Sequence, residues 1–374
     1  MTEKAPDRLF HRLADGLRAI PQAAPRLVDE IECVLSVLLA ILLAHWIGAR
    51  NVSWAAFSGY MVMRGHVADS VLRGTLRIIG TGAGAALALL LVPVVRLSLP
   101  LATLLCALVG GITLYRALTS RRAYAWLFVG LTFEMILLDA LEHSQHSVHA
   151  FAMMRVLEVV AGTLACVVVS SLSALTARRR WPASRLPQAE GVTWHPHAAR
   201  HAAQAATALA LLPPLSYAFV IPELAQSAIT VMAVMLVPLS NLGTSGLGPV
   251  SRRLLQRVAG CLAGSALAAL FLFTAQGSAP VLIAGTMLGV MLGRHIESGR
   301  SGIAYAGTQF VLAVLVTLVP DSYAHVAIAP ALARLTGILI GMTLLEPVLL
   351  AWHLAVPRRC PRDRASQDEL GSSE

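Results

Sequence analysis

Arg73-Gly-Thr-Leu-Arg77-Ile-Ile-Gly80-Thr-Gly-Ala-Gly84 is the stretch that decides the fold, because the chain says it twice. Its echo is Arg253-Leu-Leu-Gln-Arg257-Val-Ala-Gly260-Cys-Leu-Ala-Gly264. Both read R-x-x-x-R-x-x-G-x-x-x-G, and both run into a long apolar segment. Arginines that begin a helix, glycines one turn apart that let another backbone come close, and a run apolar enough for lipid therefore recur once per half. Further echoes share the register. Ala123-Tyr124-Ala125 matches Ala304-Tyr305-Ala306, and Arg155 with Gly162 matches Arg334 with Gly341.

Composition names the solvent. Hydrophobic residues make up 56% of the 374 and charged residues 13%, against about 25% in a soluble domain. With a mean hydropathy of +0.70, this much apolar surface calls for lipid. The net charge of +9 comes almost wholly from arginine. Because the arginines cluster between apolar runs, they follow the positive-inside rule and do not suggest a nucleic-acid partner.

Apolar runs of roughly bilayer length fall at residues 29–48, 51–63, 76–95, 98–115, 123–141 and 152–176, then at 199–219, 224–240, 254–274, 279–293, 303–319 and 330–353. With the N-terminus in the cytoplasm, 25 of the 29 basic residues fall inside, and only Arg50, Arg96, Arg155 and Arg334 fall outside. The expected protein is all-α and polytopic, with about twelve transmembrane helices. An even number of spans per half makes the two six-helix repeats parallel, with pseudo-two-fold symmetry about the membrane normal and both termini cytoplasmic. Its expected parts are an amphipathic N-terminal segment (1–28), a first repeat (29–176), a linker (177–198), a second repeat (199–355) and a polar tail (356–374). Residues 1–26 hold no apolar signal core, so no cleavable signal peptide is expected. The five cysteines form no CxxC pair and read as small packing residues, with Cys360 in the basic tail.

The second run of each half stands out. Residues 52–63 are short for a crossing, and 224–240 lies between Pro222 and Pro238. Short or proline-interrupted segments at matching positions point to a binding site.

Trp54-Ala-Ala-Phe57, then Arg77-Ile-Ile-Gly80-Thr81-Gly-Ala-Gly84, Tyr124-Ala125, and Arg155 with Gly162-Thr163 resemble the fusaric acid resistance (FUSC) family, which includes aromatic-acid exporters of bacterial inner membranes. The resemblance spans roughly 30–176 and 199–355. In the second half Cys261 stands where threonine is usual, and no tryptophan matches Trp54. The sizeable cytoplasmic domain of longer members has no counterpart here. The resemblance implies proton-driven efflux of small, often aromatic, organic acids across the bacterial inner membrane. Plant aluminium-activated malate transporters look similar in their membrane part and are anion channels. A passive organic-anion channel is therefore the alternative, and a non-transport membrane assembly protein is a third reading.

Candidate residues follow. Arg77 and Arg257 start repeat-related spans, where they would bind a carboxylate or anchor the helix at the interface. Trp54, Phe57 and Tyr60 recur along one helix face, as a stacking surface for an aromatic substrate or as an interfacial belt. Glu134 lies deep in an apolar span, and Glu158 sits one turn after Arg155, so both are candidates for proton coupling, Glu158 also for a salt bridge. Glu346 is a weaker one. Gly80, Gly84, Gly260 and Gly264 read as helix packing. Glu142, His143, His146 and His149 read as a wet loop and not as a metal site. No cofactor, metal or enzymatic activity is expected. The expected partners are a small organic acid, the lipid bilayer and, on the far side of the membrane, a periplasmic adaptor protein.

Overall fold

The computed structural model describes residues 24–355 with their side chains, except 144, 146, 186–190, 193, 220–223, 242–246, 300–301, 322–328 and the side chains of 330–331; for residues 5–23 it gives the backbone. The helices are α1 (Ala5–Trp46), α2 (Val52–Val62), α3 (Val67–Val95), α4 (Leu99–Thr119), α5 (Ala123–Glu142), α6 (Val148–Leu175), α7 (Ala177–Arg180), α8 (Pro196–Ala210), α9 (Leu212–Ala218), α10 (Leu224–Met235), α11 (Leu247–Ala275), α12 (Ala279–Glu297), α13 (Ala304–Leu318) and α14 (Ala329–Ala355). No strand occurs among the described residues. In lipid this is the economical solution, since each helix satisfies its own backbone hydrogen bonds.

Local chemistry sets the boundaries. The His66 side chain accepts from the Ala68 amide at the head of α3, and Asp69 lies in its first turn. Ser147 does the same for α6 through Ala150. Gly48 and Gly277 follow α1 and α11 in the left-handed region that glycine adopts freely. Pro213 and Pro214 sit at the head of α9 and divide it from α8.

Among the described residues, seven helices are long and apolar enough to cross a membrane: α3, α4, α5, α6, α11, α12 and residues 332–355 of α14. These correspond to seven of the twelve apolar runs of the sequence. α2 has 11 residues and α10 has 12, so each rises only about 16–18 Å against a hydrocarbon core of about 30 Å. α3 begins nine residues before the expected start at 76, because its first turns carry Asp69 and Arg73 and read as a loop. α11 likewise begins at Leu247. The expected segments 1–28 (up to residue 23) and 356–374 lie outside the side chains described.

The contacts of the two halves correspond pair by pair. α1, α2 and α6 pack together, α3 lies on α5 and α6, and α4 lies on α5. In the second half α8, α10 and α14 pack together, α11 lies on α13 and α14, and α12 lies on α13. Contacts between halves are reciprocal: α4 against α8 and α12 against α1, α5 against α10 and α13 against α2. Each of the two largest apolar cores mixes helices from both halves. Leu90, Leu97, Leu255 and Phe273 point outward, as lipid-facing residues do.

Glycines set the closest approaches. A methyl group on Gly80 would collide with the Ala125 carbonyl of α5, and one on Gly84 with the Val129 carbonyl. On α11 the same geometry sets Gly260 against Ala306 and Gly264 against Phe310 of α13. All four glycines predicted as packing positions occupy such seams.

Candidate functional site

The two glycine seams hold α3 against α5 and α11 against α13, and a cavity of about 240 Å³ opens between these pairs and the short helices α2 and α10. Seven arginines line it: Arg64, Arg73, Arg77, Arg155, Arg253, Arg257 and Arg334. Among the described lining residues Glu297 is the one acid. Burying that many cations in a membrane protein is costly unless they are partnered.

Aromatic rings meet part of that cost. Trp54, Phe57 and Tyr60 of α2 all face the cavity, and each is met by a different arginine. Arg155 lies 4.2 Å from the centre of the Trp54 ring, Arg334 5.6 Å from Phe57, and Arg294 5.8 Å from Tyr60. On α5 and α13, Arg73 stacks on Tyr124 at 3.8 Å, Arg77 on Phe128 at 4.1 Å and Arg253 on Tyr305 at 4.3 Å. A guanidinium over an aromatic face is attracted by the ring quadrupole, the more strongly when water is excluded.

Arg77 and Arg257, placed by the sequence reading at the start of their helices, sit instead in the third turn of α3 and α11, and both are 1% exposed. The cause is the early start of both helices. Arg77 donates to Ser58 Oγ at 3.1 Å and to the Tyr124 hydroxyl at 3.0 Å. Arg257 donates to the Tyr305 hydroxyl at 3.3 Å and to Gln309 Oε1 at 2.8 Å. Its Nε and Nη2 have no hydrogen-bond partner among the described residues. A buried guanidinium with unused donors is suited to a carboxylate, which accepts two parallel hydrogen bonds.

Arg155 and Arg334, which the charge count put on the outer side, are both buried and line the cavity. The positive-inside rule concerns loops, and these two are helical residues facing protein. Their repetition with Gly162 and Gly341 was the signal. A methyl on Gly162 would strike the Ala55 carbonyl of α2, and one on Gly341 would crowd the Ser227 carbonyl of α10. These glycines press α6 and α14 against the short helices, and the arginines follow.

The predicted coupling carboxylates are not brought together with the arginine pair. Glu134 is fully buried where α5 meets α4 and α8, beside Cys106 and Gly110, and does not line the cavity. Glu158 pairs with Arg155 at 3.0 Å, and its other oxygen accepts the Asn51 amide at 2.9 Å. Asp321 accepts the Val52 amide at 2.9 Å. Two carboxylates from elsewhere therefore satisfy the open N–H groups at the head of α2, where helix polarity favours negative charge. Glu346 is half-buried on α14 and lies away from the cavity lining. Among the described residues, no group of three metal-ligating side chains occurs, and four cysteines are buried and free.

At the end of the bundle that bears Arg64 and Arg178, an ion network ties α1 to its neighbours. Arg294 of α12 grips Asp29 at 2.6 Å, and Arg178 grips Glu32 at 2.5 Å. His295 meets Glu30 at 2.7 Å. Glu297, one helical turn after Arg294, accepts a hydrogen bond from the Tyr60 hydroxyl inside the cavity. Sequence reasoning missed Glu297, since nothing in the order of residues places α12 beside α2.

The fold is that of a multi-pass helical membrane protein with arginines grouped around a cavity. Residues 31–210 match the family model of the Fusaric acid resistance protein family. That family is one of membrane transporters rather than of enzymes. No curated protein matches the chain.

Proposed function

We propose that the protein is a secondary transporter that exports small aromatic or related organic acids across the bacterial inner membrane in a proton-coupled cycle. The observation that carries this reading is the cavity itself: seven arginines and a wall of aromatic rings against one carboxylate. An organic anion entering it exchanges its water for fixed cations, and a ring on that anion finds faces to stack on.

The full reading has two six-helix units, parallel and related by a pseudo-two-fold axis through the cavity, with the short helices α2 and α10 as its inner walls. The reciprocal contacts between halves support that arrangement. The end of the bundle rich in arginine faces the cytoplasm under the positive-inside rule. Glu134 and Glu158 are proposed to assist proton movement, Glu134 as a buried carboxyl and Glu158 through its pair with Arg155. A periplasmic adaptor is a proposed partner on the opposite face.

Uptake of radiolabelled aromatic acids into inverted membrane vesicles, with and without an imposed pH gradient, tests the proposal. Gradient-dependent uptake that Arg257→Ala removes is the expected result. Uptake that ignores the gradient would make the protein a channel, and no uptake of any organic acid would favour a role in membrane assembly.

A further inference from the structure

The cations of the cavity are not equally compensated. Arg155 pairs with Glu158, three residues on along α6, at 3.0 Å. Its counterpart Arg334 has Gly337 at the same spacing, so α14 supplies no carboxylate there. Arg334 is 5% exposed and lines the cavity, and its Nε has no hydrogen-bond partner among the described residues. It lies against the Cys261 thiol, one turn after Arg257 on α11, with Arg257 and Tyr305 within electrostatic reach. Position 261 holds cysteine where the first repeat has Thr81, and a thiol is a weak acceptor for a guanidinium. Glu297, the one acid among the described lining residues, is held by the Tyr60 hydroxyl and by Arg294.

We infer that Arg334 is a binding residue for the substrate anion, and that it holds one carboxylate together with Arg257 in an off-axis subsite belonging to the second half. This rests on the anion-binding reading of the cavity and names the place within it. Two neighbouring buried guanidiniums repel each other, and an anion between them relieves that cost. Arg257 offers Nε and Nη2 and Arg334 offers Nε, three donors unused among the described residues, and a carboxylate accepts at two oxygens. The first half is arranged otherwise. Arg155 is neutralised by Glu158, and Arg77 donates to Ser58 and Tyr124. Repeat-related arginines thereby make one anion subsite and not two.

The subsite also borders the aromatic face of α2, since Arg334 lies 5.6 Å from the centre of the Phe57 ring. An apolar wall beside two cations suits an acid whose carboxylate is carried on a ring, the class of anion that uses both.

The test is equilibrium binding of radiolabelled benzoate to the purified full-length protein in lipid nanodiscs at about pH 7, where benzoate is ionised. Arg334→Gln is expected to weaken binding about 30-fold, as the loss of a charge-assisted hydrogen bond does. Arg334→Lys, which keeps the charge and loses the fork, is expected to weaken it about fivefold. Residues that hold the same carboxylate have coupled losses. Arg257→Ala combined with Arg334→Gln should therefore cost about 300-fold, short of the product of the separate losses, about 3,000-fold. Arg155→Gln combined with Glu158→Gln leaves the net charge unchanged and keeps an oxygen for the Asn51 amide, so affinity should change by less than about threefold. Arg334→Lys carries the test if Arg334→Gln fails to give monodisperse protein. Unchanged affinity in the Arg334 variants, separate losses that multiply in full, or a loss from the Arg155 and Glu158 replacement as large as that from Arg334→Gln would overturn the inference and leave the anion cavity standing. Absence of wild-type binding to benzoate and to every other organic anion tried overturns the inference together with the transporter reading.

Discussion

The two halves use the same seam to hold different chemistry. α3 on α5 and α11 on α13 are closed by paired glycines against carbonyl oxygens, and each pair presents one buried arginine and one tyrosine to the cavity. The next position differs. Arg77 stacks on Phe128, whereas Arg257 hydrogen-bonds Gln309, the corresponding residue one turn after its tyrosine. Arg77 also has Ser58, while Arg257 keeps Nε and Nη2 unused among the described residues. The first half has spent its arginine on structure and the second has left its own available. The same seam recurs, and the residue one turn after each tyrosine sets what its arginine meets.

The comparison can be broken most severely at the seams. Leucine at Gly80 or at Gly260 should abolish the folded bundle, because each side chain would meet backbone that cannot move aside. Size-exclusion profiles of the two variants should be equally poor, and a half that tolerates leucine would show the seams are not equivalent. Next in size is the arginine pair. Arg257→Ala should weaken aromatic-acid binding about 100-fold, as expected for two lost charge-assisted hydrogen bonds. Arg77→Ala should cost only about tenfold, through lost cavity potential and a loosened Tyr124. Isothermal titration of both variants measures the ratio, and equal losses would erase the division of labour. A subtler change, Gln309→Phe, rebuilds the second half in the image of the first. Binding should then fall about fivefold, with the protein as stable as the wild type in a thermal-shift assay, since a cation–π contact replaces a hydrogen bond. The smallest effect belongs to Trp54→Phe, about threefold in affinity for aromatic acids and none for aliphatic ones, because a smaller face remains for stacking.

What could be read from the sequence was what the chain repeats. The glycine seams, the Tyr124 and Tyr305 positions, and the brevity of α2 and α10 all follow from comparing one half with the other. The aromatic face of Trp54, Phe57 and Tyr60 followed from helical spacing. The depth of Arg77 and Arg257 did not, since charges at 69, 73, 252 and 253 look like a loop while belonging to the first turns of long helices. Arg155 and Arg334 were visible as a repeat, but their place in the cavity wall was not, because it depends on which way each helix faces. Glu297 and the caps on α2 were beyond reach, because they depend on which helix from one half lies beside which from the other. Tertiary neighbourhoods of that kind leave no period in the sequence.

The crossing of α6 over α2 at Gly162 has a consequence for any attempt to change what the cavity accepts. α2 is too short to reach both membrane surfaces, and its head is held by Glu158 and Asp321 from two other elements. It is a shelf in the frame of the bundle, carrying three rings with Arg64 just beyond its end. Reshaping the cavity by replacing the rings one at a time alters the shelf's surface. Changing the pair of carboxylates that suspend it would shift all four groups at once, so selectivity could be retuned from residues no substrate ever touches.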